Sequence, residues 1–313
     1  MAHWTAHDIP DQSGRTALVT GANSGLGLET ATALAAHGAR VLMACRNQEK
    51  AREALDHVRN VAAGPRPEVV SLDLADLESV RATAERMVDA DEPLDVLVNN
   101  AGVMALPLRR TAQGFEMQFG TNHLGHFALT GRLLPLLLRG DGARVVTLSS
   151  MMHRTGRMRW EDLNWEHGYR KWLAYGQSKL ANLLFMSELD RRSTNHAGGR
   201  LVSVSAHPGY ASTHLQAAGP EMAGNKLMSS MVDLANQVVA QSAEQGALPS
   251  LYGATMPDVQ GGEYYGPNGP GEMRGSPKKV TASRRAQSPE DAARLWARSE
   301  ELTGVTFDWS STT

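Results

Sequence analysis

Short apolar runs rich in β-branched residues alternate with longer amphipathic stretches from residue 15 to about residue 265. That alternation predicts an α/β fold, a doubly wound parallel sheet of about seven strands with helices on both faces. Strands are expected at 16–20, 39–45, 68–74, 94–99, 144–149, 200–205 and 261–266. Helical spacing fills 26–37, closed by Gly38, then 48–61 and 77–88. A long helical pattern runs over 114–138, with Pro135 expected to kink its end. Further helices are expected around Tyr175 and over 242–252. Glycine and proline dominate 267–277, which reads as a loop. A final helix has Ser288 as N-cap, Pro289 at its first position, Asp291 in a box-like spacing, and Gly304 past its end.

No repeat is visible, and the expectation is one domain over 1–313, with a C-terminal extension at about 267–313. Residues 211–240 change character, with Met222, Met228 and Met231 among small polar residues, as in a substrate lid. An insertion at 151–172 holds three of the six tryptophans, Trp160, Trp165 and Trp172.

Charge is nearly balanced, 31 Lys+Arg against 33 Asp+Glu, so no global field argues for nucleic acid, and a small-molecule partner is simpler. The single cysteine, Cys45, excludes an internal disulfide framework and a Cys-rich zinc site and fits a cytoplasmic location; it reads as a small buried filler. Met1 to Gly14 has no signal-peptide core, and the greasy run 133–138 contains Pro135 and is too short to span a bilayer. No membrane partner is expected.

Thr20-Gly21-Ala22-Asn23-Ser24-Gly25-Leu26-Gly27 lies between an expected strand and helix. There a glycine turn lets backbone amides approach a pyrophosphate, the Rossmann-type arrangement. An acidic residue about 20 positions past the first glycine would grip the ribose hydroxyls of NAD. None stands between Ala39 and Gln48; the strand ends Cys45-Arg46-Asn47, which puts a guanidinium where a 2′-phosphate would lie and favours NADP(H). A solvated surface charge is the alternative for Arg46. Asp73-Leu74 would cover the adenine edge, or Asp73 would cap a helix. Asn99-Asn100-Ala101-Gly102 closes the fourth strand as a cofactor-ribose turn, or as a simple turn.

Tyr175 and Lys179 stand four positions apart, one above the other on a helix face, so the ammonium is expected to favour ionisation of the phenol. A proton donor and acceptor near neutral pH results. His123 and His126 have no third ligand nearby and read as packing histidines, so no metal is expected; His207 reads as a hydrogen-bonded strand end. Lys278, Lys279, Arg284 and Arg285 form a basic stretch explained by a solvated face.

These motifs, with Ser149-Ser150 and Pro208-Gly209, stand in the order seen in the short-chain dehydrogenase/reductase family, which residues 14–265 resemble. Ala44-Cys45-Arg46-Asn47, Asn122-His123-Leu124-Gly125-His126-Phe127 and Ser178-Lys179-Leu180-Ala181-Asn182 resemble its retinol dehydrogenase-like branch. The resemblance implies that Tyr175 is the general acid or base and that Lys179 lowers its pKa and holds the nicotinamide ribose. It implies Ser150 as orienter of the substrate oxygen, Asn122 as anchor of a proton-relay water, and Pro208 and Thr213 as nicotinamide and phosphate contacts. The implied cofactor residues are thus Gly21, Asn23, Ser24, Gly25, Leu26, Gly27, Arg46, Asn47, Asp73, Leu74, Asn100, Ala101, Gly102, Tyr175, Lys179, Pro208 and Thr213. The expected reaction is interconversion of a carbonyl and an alcohol on a bulky apolar substrate, a class suggested by the tryptophan insertion and the methionine lid. Reduction of a carbon–carbon double bond and non-catalytic redox sensing use the same framework. The resemblance also implies a homo-oligomer, dimer or tetramer, through the helices at about 114–138 and 172–195, one of whose faces the C-terminal extension would block.

Overall fold

The computed structural model of the chain describes residues 3–140, 142–210 and 241–312. Among them, eight strands form one sheet: β1 (Thr16–Thr20), β2 (Arg40–Cys45), β3 (Glu68–Ser71), β4 (Val96–Asn99), β5 (Ala143–Leu148), β6 (Leu201–Ala206), β7 (Tyr264–Pro267) and β8 (Pro277–Lys279). Their order is β3-β2-β1-β4-β5-β6-β7-β8. All neighbours run parallel except β8, which pairs antiparallel with β7 in the register Tyr265↔Lys279 to Pro267↔Pro277. The eighth strand was not expected from the sequence, because three residues beginning with proline carry no alternation to detect. Proline is tolerated there because β8 is an edge.

Among the described residues, seven helices pack around the sheet: α1 (Gly25–Ala36), α2 (Gln48–Val61), α3 (Leu77–Asp89), α4, α5 (Lys171–Ala197), α6 (Ala243–Thr255) and α7 (Pro289–Thr303). Helix α4 begins as Met117–Phe119, widens into a π-turn at Gly120–Leu124 and continues as Gly125–Leu137, through Pro135. β1 shows how the layers are divided. Its Ala17 and Val19 face a core with Ala31, Leu34, Val58 and Leu251 of α1, α2 and α6. Leu18, between them, faces Val80, Phe127, Leu133 and Phe185 of α3, α4 and α5. Period-two alternation thus feeds both layers, each buried aliphatic chain contributing about 1.5–3 kcal/mol.

Strand order reverses between β1 and β4, which creates a crevice at their carboxyl ends. The two turns flanking it are Gly21 to Gly27 and Asn100 to Gly102. At the far end of the chain, Ser288 accepts from Asp291 N–H, Pro289 opens α7, and Gly304 ends it in the left-handed conformation (φ 65°). Helix α7 and the residues after it lie on α4 and α5. Trp296 meets Phe127 (ring centroids 5.1 Å apart) and Phe307 (4.3 Å), and Arg192 of α5 lies over the Trp296 ring at 4.5 Å. The C-terminal segment therefore covers part of the helix pair through which assembly was expected.

Candidate active site

The glycine turn follows from steric necessity. Gly21 (φ 68°) and Gly25 (φ 53°) adopt backbone angles that a β-carbon disfavours. At Gly27 a β-carbon would run into the Gly21 carbonyl and lie 2.5 Å from Asn100 Nδ2. Ser24, the N-cap of α1, makes no capping bond with its side chain, which leaves the first-turn N–H groups without that partner, an arrangement suited to an anion.

The two turns are tied together by Thr20. Its Oγ1 accepts from Asn100 N–H and Ala101 N–H, both at 2.9 Å, and Asn100 Nδ2 donates to Thr20 C=O at 2.7 Å. His126 Nδ1 lies 3.0 Å from the Asn122 carbonyl and must donate to it, so Nε2 accepts the Thr20 hydroxyl proton at 2.9 Å. Burial pushes this imidazole down to about 4, which keeps it neutral. His123 is likewise held in the core, bonded to Ser299 Oγ at 2.8 Å and stacked on Phe119.

A cleft of about 390 Å³ opens at the crevice. Its walls bring together Gly21, Asn23, Ser24, Gly25, Leu26 and Gly27 with Arg46, Asn47, Asp73 and Leu74. Asn100, Ala101 and Gly102 line it too, as do Tyr175, Lys179 and Pro208. Residues 14–265 thus place nearly all the expected cofactor contacts around one cavity. Thr213 and the 211–240 segment lie outside the described residues. A larger cavity of about 520 Å³ beside β3 holds Arg40, Glu68 and Arg86 but none of the motif residues.

At the mouth, Arg46 and Asn47 are exposed, and Lys50 joins them. Lys50 was missed in the sequence because it belongs to no motif; its place one turn after Arg46 was the available signal. Asn47 also caps α2, accepting from Lys50 N–H at 3.0 Å. Asp73 does not cap α3. Its Oδ1 accepts from Ala75 N–H at 3.0 Å in its own turn, and Asp76 caps α3 through Glu78 N–H.

At the inner end, Ser149 and Ser150 close β5 and point to different tasks. Ser149 Oγ donates to the Lys179 carbonyl at 2.8 Å, whereas Ser150 Oγ accepts from Met152 N–H at 3.2 Å and lies on the side of the Tyr175 phenol. Lys179 Nζ donates to Leu148 C=O at 3.2 Å and lies 5.7 Å from the Tyr175 ring centroid. Asn122, in the π-turn, clamps Val103 through both backbone groups, at 2.8 and 2.9 Å, and donates to Ser178 Oγ at 3.0 Å. Ser178 in turn donates to Tyr175 C=O, so α4 positions the helix turn that carries the phenol.

The charge states differ from the sequence expectation. Burial raises Tyr175 to about 12, only partly offset by the Ser150 hydrogen bond, and lowers Lys179 to about 8. The net shift of the phenol is upward, because desolvation of a phenolate is the dominant influence and the ammonium is engaged by a carbonyl. Burial thus favours the protonated phenol of Tyr175.

The tryptophans also depart from expectation. Trp165 is buried beneath Arg159 (4.1 Å), Trp160 lies beneath Arg294 (4.4 Å), and Trp172 is exposed. None lines the cleft. Cys45 is buried, its thiol raised to about 11 by desolvation, and inert. No group of three or more His, Cys, Asp or Glu side chains could hold a metal ion among the described residues. No helix among them is long and apolar enough to cross a membrane.

A parallel sheet with a glycine turn at its reversal point and a Tyr-Lys pair in the same cleft defines a dinucleotide-binding oxidoreductase. The short chain dehydrogenase family profile matches residues 15–223, and the chain belongs to that family. It is 41% identical over 305 residues to mouse retinol dehydrogenase 14, covering 93% of this chain and 86% of that one. Human retinol dehydrogenase 13 is 39% identical over 296 residues, covering 93% and 84%. An uncharacterised protein from Mycobacterium paratuberculosis superposes with a TM-score of 0.79 at 45% identity, over 98% of this chain and 100% of that chain. A short-chain dehydrogenase from Shigella flexneri, solved with NADP, does so with a TM-score of 0.61 at 26% identity, over 82% and 97%.

Proposed function

We propose that the protein is an NADP(H)-dependent oxidoreductase that interconverts a carbonyl and an alcohol on a bulky apolar substrate, with Tyr175 as general acid/base. The observation that carries this reading is that Tyr175 and buried Lys179 line the cleft of the glycine turn together, with Ser150 beside the phenol. The cofactor fits the residues present. The uncapped start of α1 suits the pyrophosphate, Arg46 and Lys50 suit a 2′-phosphate, and Asp73 and Leu74 suit the adenine edge. Asn100 to Gly102 and Lys179 would hold the nicotinamide ribose, with Pro208 against the ring. When bound, the nicotinamide supplies or accepts the hydride.

The chain's own residues handle the proton and the developing charge. A carbonyl oxygen gains negative charge as its carbon is reduced; Ser150 and Tyr175 hydroxyls donate to it, and Tyr175 gives up its proton. A phenol held protonated by burial suits the reductive direction. Lys179, with Asn122 behind it, stabilises the phenolate that remains. The apolar substrate class rests on the retinol dehydrogenase relatives rather than on the tryptophans. We place a homo-oligomer interface away from the face covered by α7, and the protein in the cytoplasm. The test is a screen of carbonyl compounds, an enone among them, following NADPH consumption and product identity. Wild-type turnover that Tyr175→Phe lowers by about 10²–10⁴-fold is expected. Near-normal turnover in that variant refutes the assignment, and reduction of the enone at its carbon–carbon bond replaces it.

A further inference from the structure

Glu272 stands in an unusual place. It follows β7 with φ 59°, and Gly271 before it has φ 62°. A non-glycine residue in that conformation is uncommon and persists only where its surroundings hold it. Its carboxylate is what is held. Arg154 Nη2 lies 3.2 Å from each Glu272 oxygen, and His207 Nε2 lies 3.2 Å from Oε2. The His207 side chain is fully buried and that of Glu272 only 21% exposed, so the pair meets with little solvent screening.

The two partners come from the loops that follow the neighbouring strands β5 and β6. Arg154 ends the turn that begins at Ser150, where Met152 N–H donates to Ser150 Oγ at 3.2 Å and His153 Nδ1 donates to Ser150 C=O at 2.7 Å. His207 begins the Pro208 turn, and its Nδ1 accepts from Gly209 N–H at 3.2 Å, which leaves the proton on buried Nε2, within ion-pair distance of the carboxylate (3.2 Å) but not aligned for a hydrogen bond. A β-carbon on Gly266 would overlap the His207 ring, so the imidazole packs directly on β7. One carboxylate thus joins the serine loop to the turn that walls the cleft.

We propose that Glu272 is a positioning residue that couples the Ser150 loop, through Arg154, to the Pro208 turn, through His207, and so keeps serine and cofactor wall in register. The inference rests on the oxidoreductase reading, and its test has an arm that does not need activity. In the full chain, Glu272→Gln and Arg154→Gln are compared with wild type by hydrogen exchange at the Met152 and Gly209 amides. Arg154 is half-exposed, so its variant keeps the test open if the first fails to fold. Both amides exchange about tenfold faster in both variants, including Gly209 in Arg154→Gln, where the substitution is on the other loop. Change confined to the substituted side overturns the coupling, whether or not the wild type reduces any carbonyl. Where it does, kcat falls about tenfold with the KM for NADPH within about twofold, and the double variant is no slower than Glu272→Gln alone. A double variant that loses the product of the single effects overturns the proposal as well.

Discussion

Gly27, in the first turn of α1, and Asn100, just past β4, touch across the crevice: a β-carbon on Gly27 would lie 2.5 Å from Asn100 Nδ2. Asn100 cannot step aside, because the same nitrogen donates to Thr20 C=O at 2.7 Å. Gly27→Ala must therefore shift the glycine turn. Overpacking of this kind costs about 1–3 kcal/mol. The expected result is a lower unfolding midpoint and a larger loss of NADPH affinity than stability alone explains, measured by denaturation and by cofactor fluorescence titration.

The lowered pKa of Lys179 gives reduction a descending alkaline limb. Below about 8 the ammonium is charged and stabilises the phenolate formed as Tyr175 gives up its proton; above it the charge is lost. Tyr175 itself, raised to about 12, stays protonated across that window. The reductive kcat/KM is expected to fall with a one-proton slope above about pH 8. Lys179→Met should have a residual rate without that limb, and a flat wild-type profile to pH 9.5 would contradict the assignment.

Local chemistry was legible wherever a few adjacent residues carried it. Helix α2 begins and ends where the charged amphipathic pattern does, and Ser288, Pro289 and Gly304 bound α7 as their types dictate. The motif residues from Gly21 to Pro208 converge on one cleft because strand ends in a reversing parallel sheet must. What was illegible depends on burial and distant partners. The π-turn at Gly120–Leu124 leaves the helical hydrophobic pattern intact, so nothing in composition marks it. The direction of the Tyr175 shift depends on how much solvent the fold removes, which the four-residue spacing from Lys179 does not encode. Glu272 lies in a glycine- and proline-rich stretch that reads as loop, and only the fold brings Arg154 and His207 to it.

Arg46 should set cofactor choice. It is exposed at the cleft mouth, with Lys50 nearby and no carboxylate in the walls at the end of β2 to hold a ribose hydroxyl pair. A charge-assisted bond to a phosphate is worth about 1.5–3 kcal/mol, so Arg46→Ala is expected to raise the KM for NADPH by about 10- to 100-fold. The KM for NADH should stay within about twofold. Raising ionic strength should shrink the preference in the wild type and leave it unchanged in the variant. Equal effects on both cofactors would make Arg46 a solvated surface charge.

Acid should unfold the protein through the histidines behind the site. His123 and His126 are fully buried and neutral, lowered to about 3 and about 4 from an ordinary value of 6.5, with desolvation the leading cause in both. In the unfolded chain both take up protons as pH falls through about 6.5, while the folded chain resists until about 4. Stability from these groups is therefore complete above the unfolded value and is lost as pH drops through the window from 6.5 to 4, by an amount on the order of a few kcal/mol. His123→Gln keeps a donor for Ser299 and removes one proton from that uptake. Its unfolding free energy, measured by urea titration at each half unit of pH, should decline with a shallower slope than wild type below pH 6.5. Parallel slopes would show that His123 is already protonated, or solvated, in the folded chain.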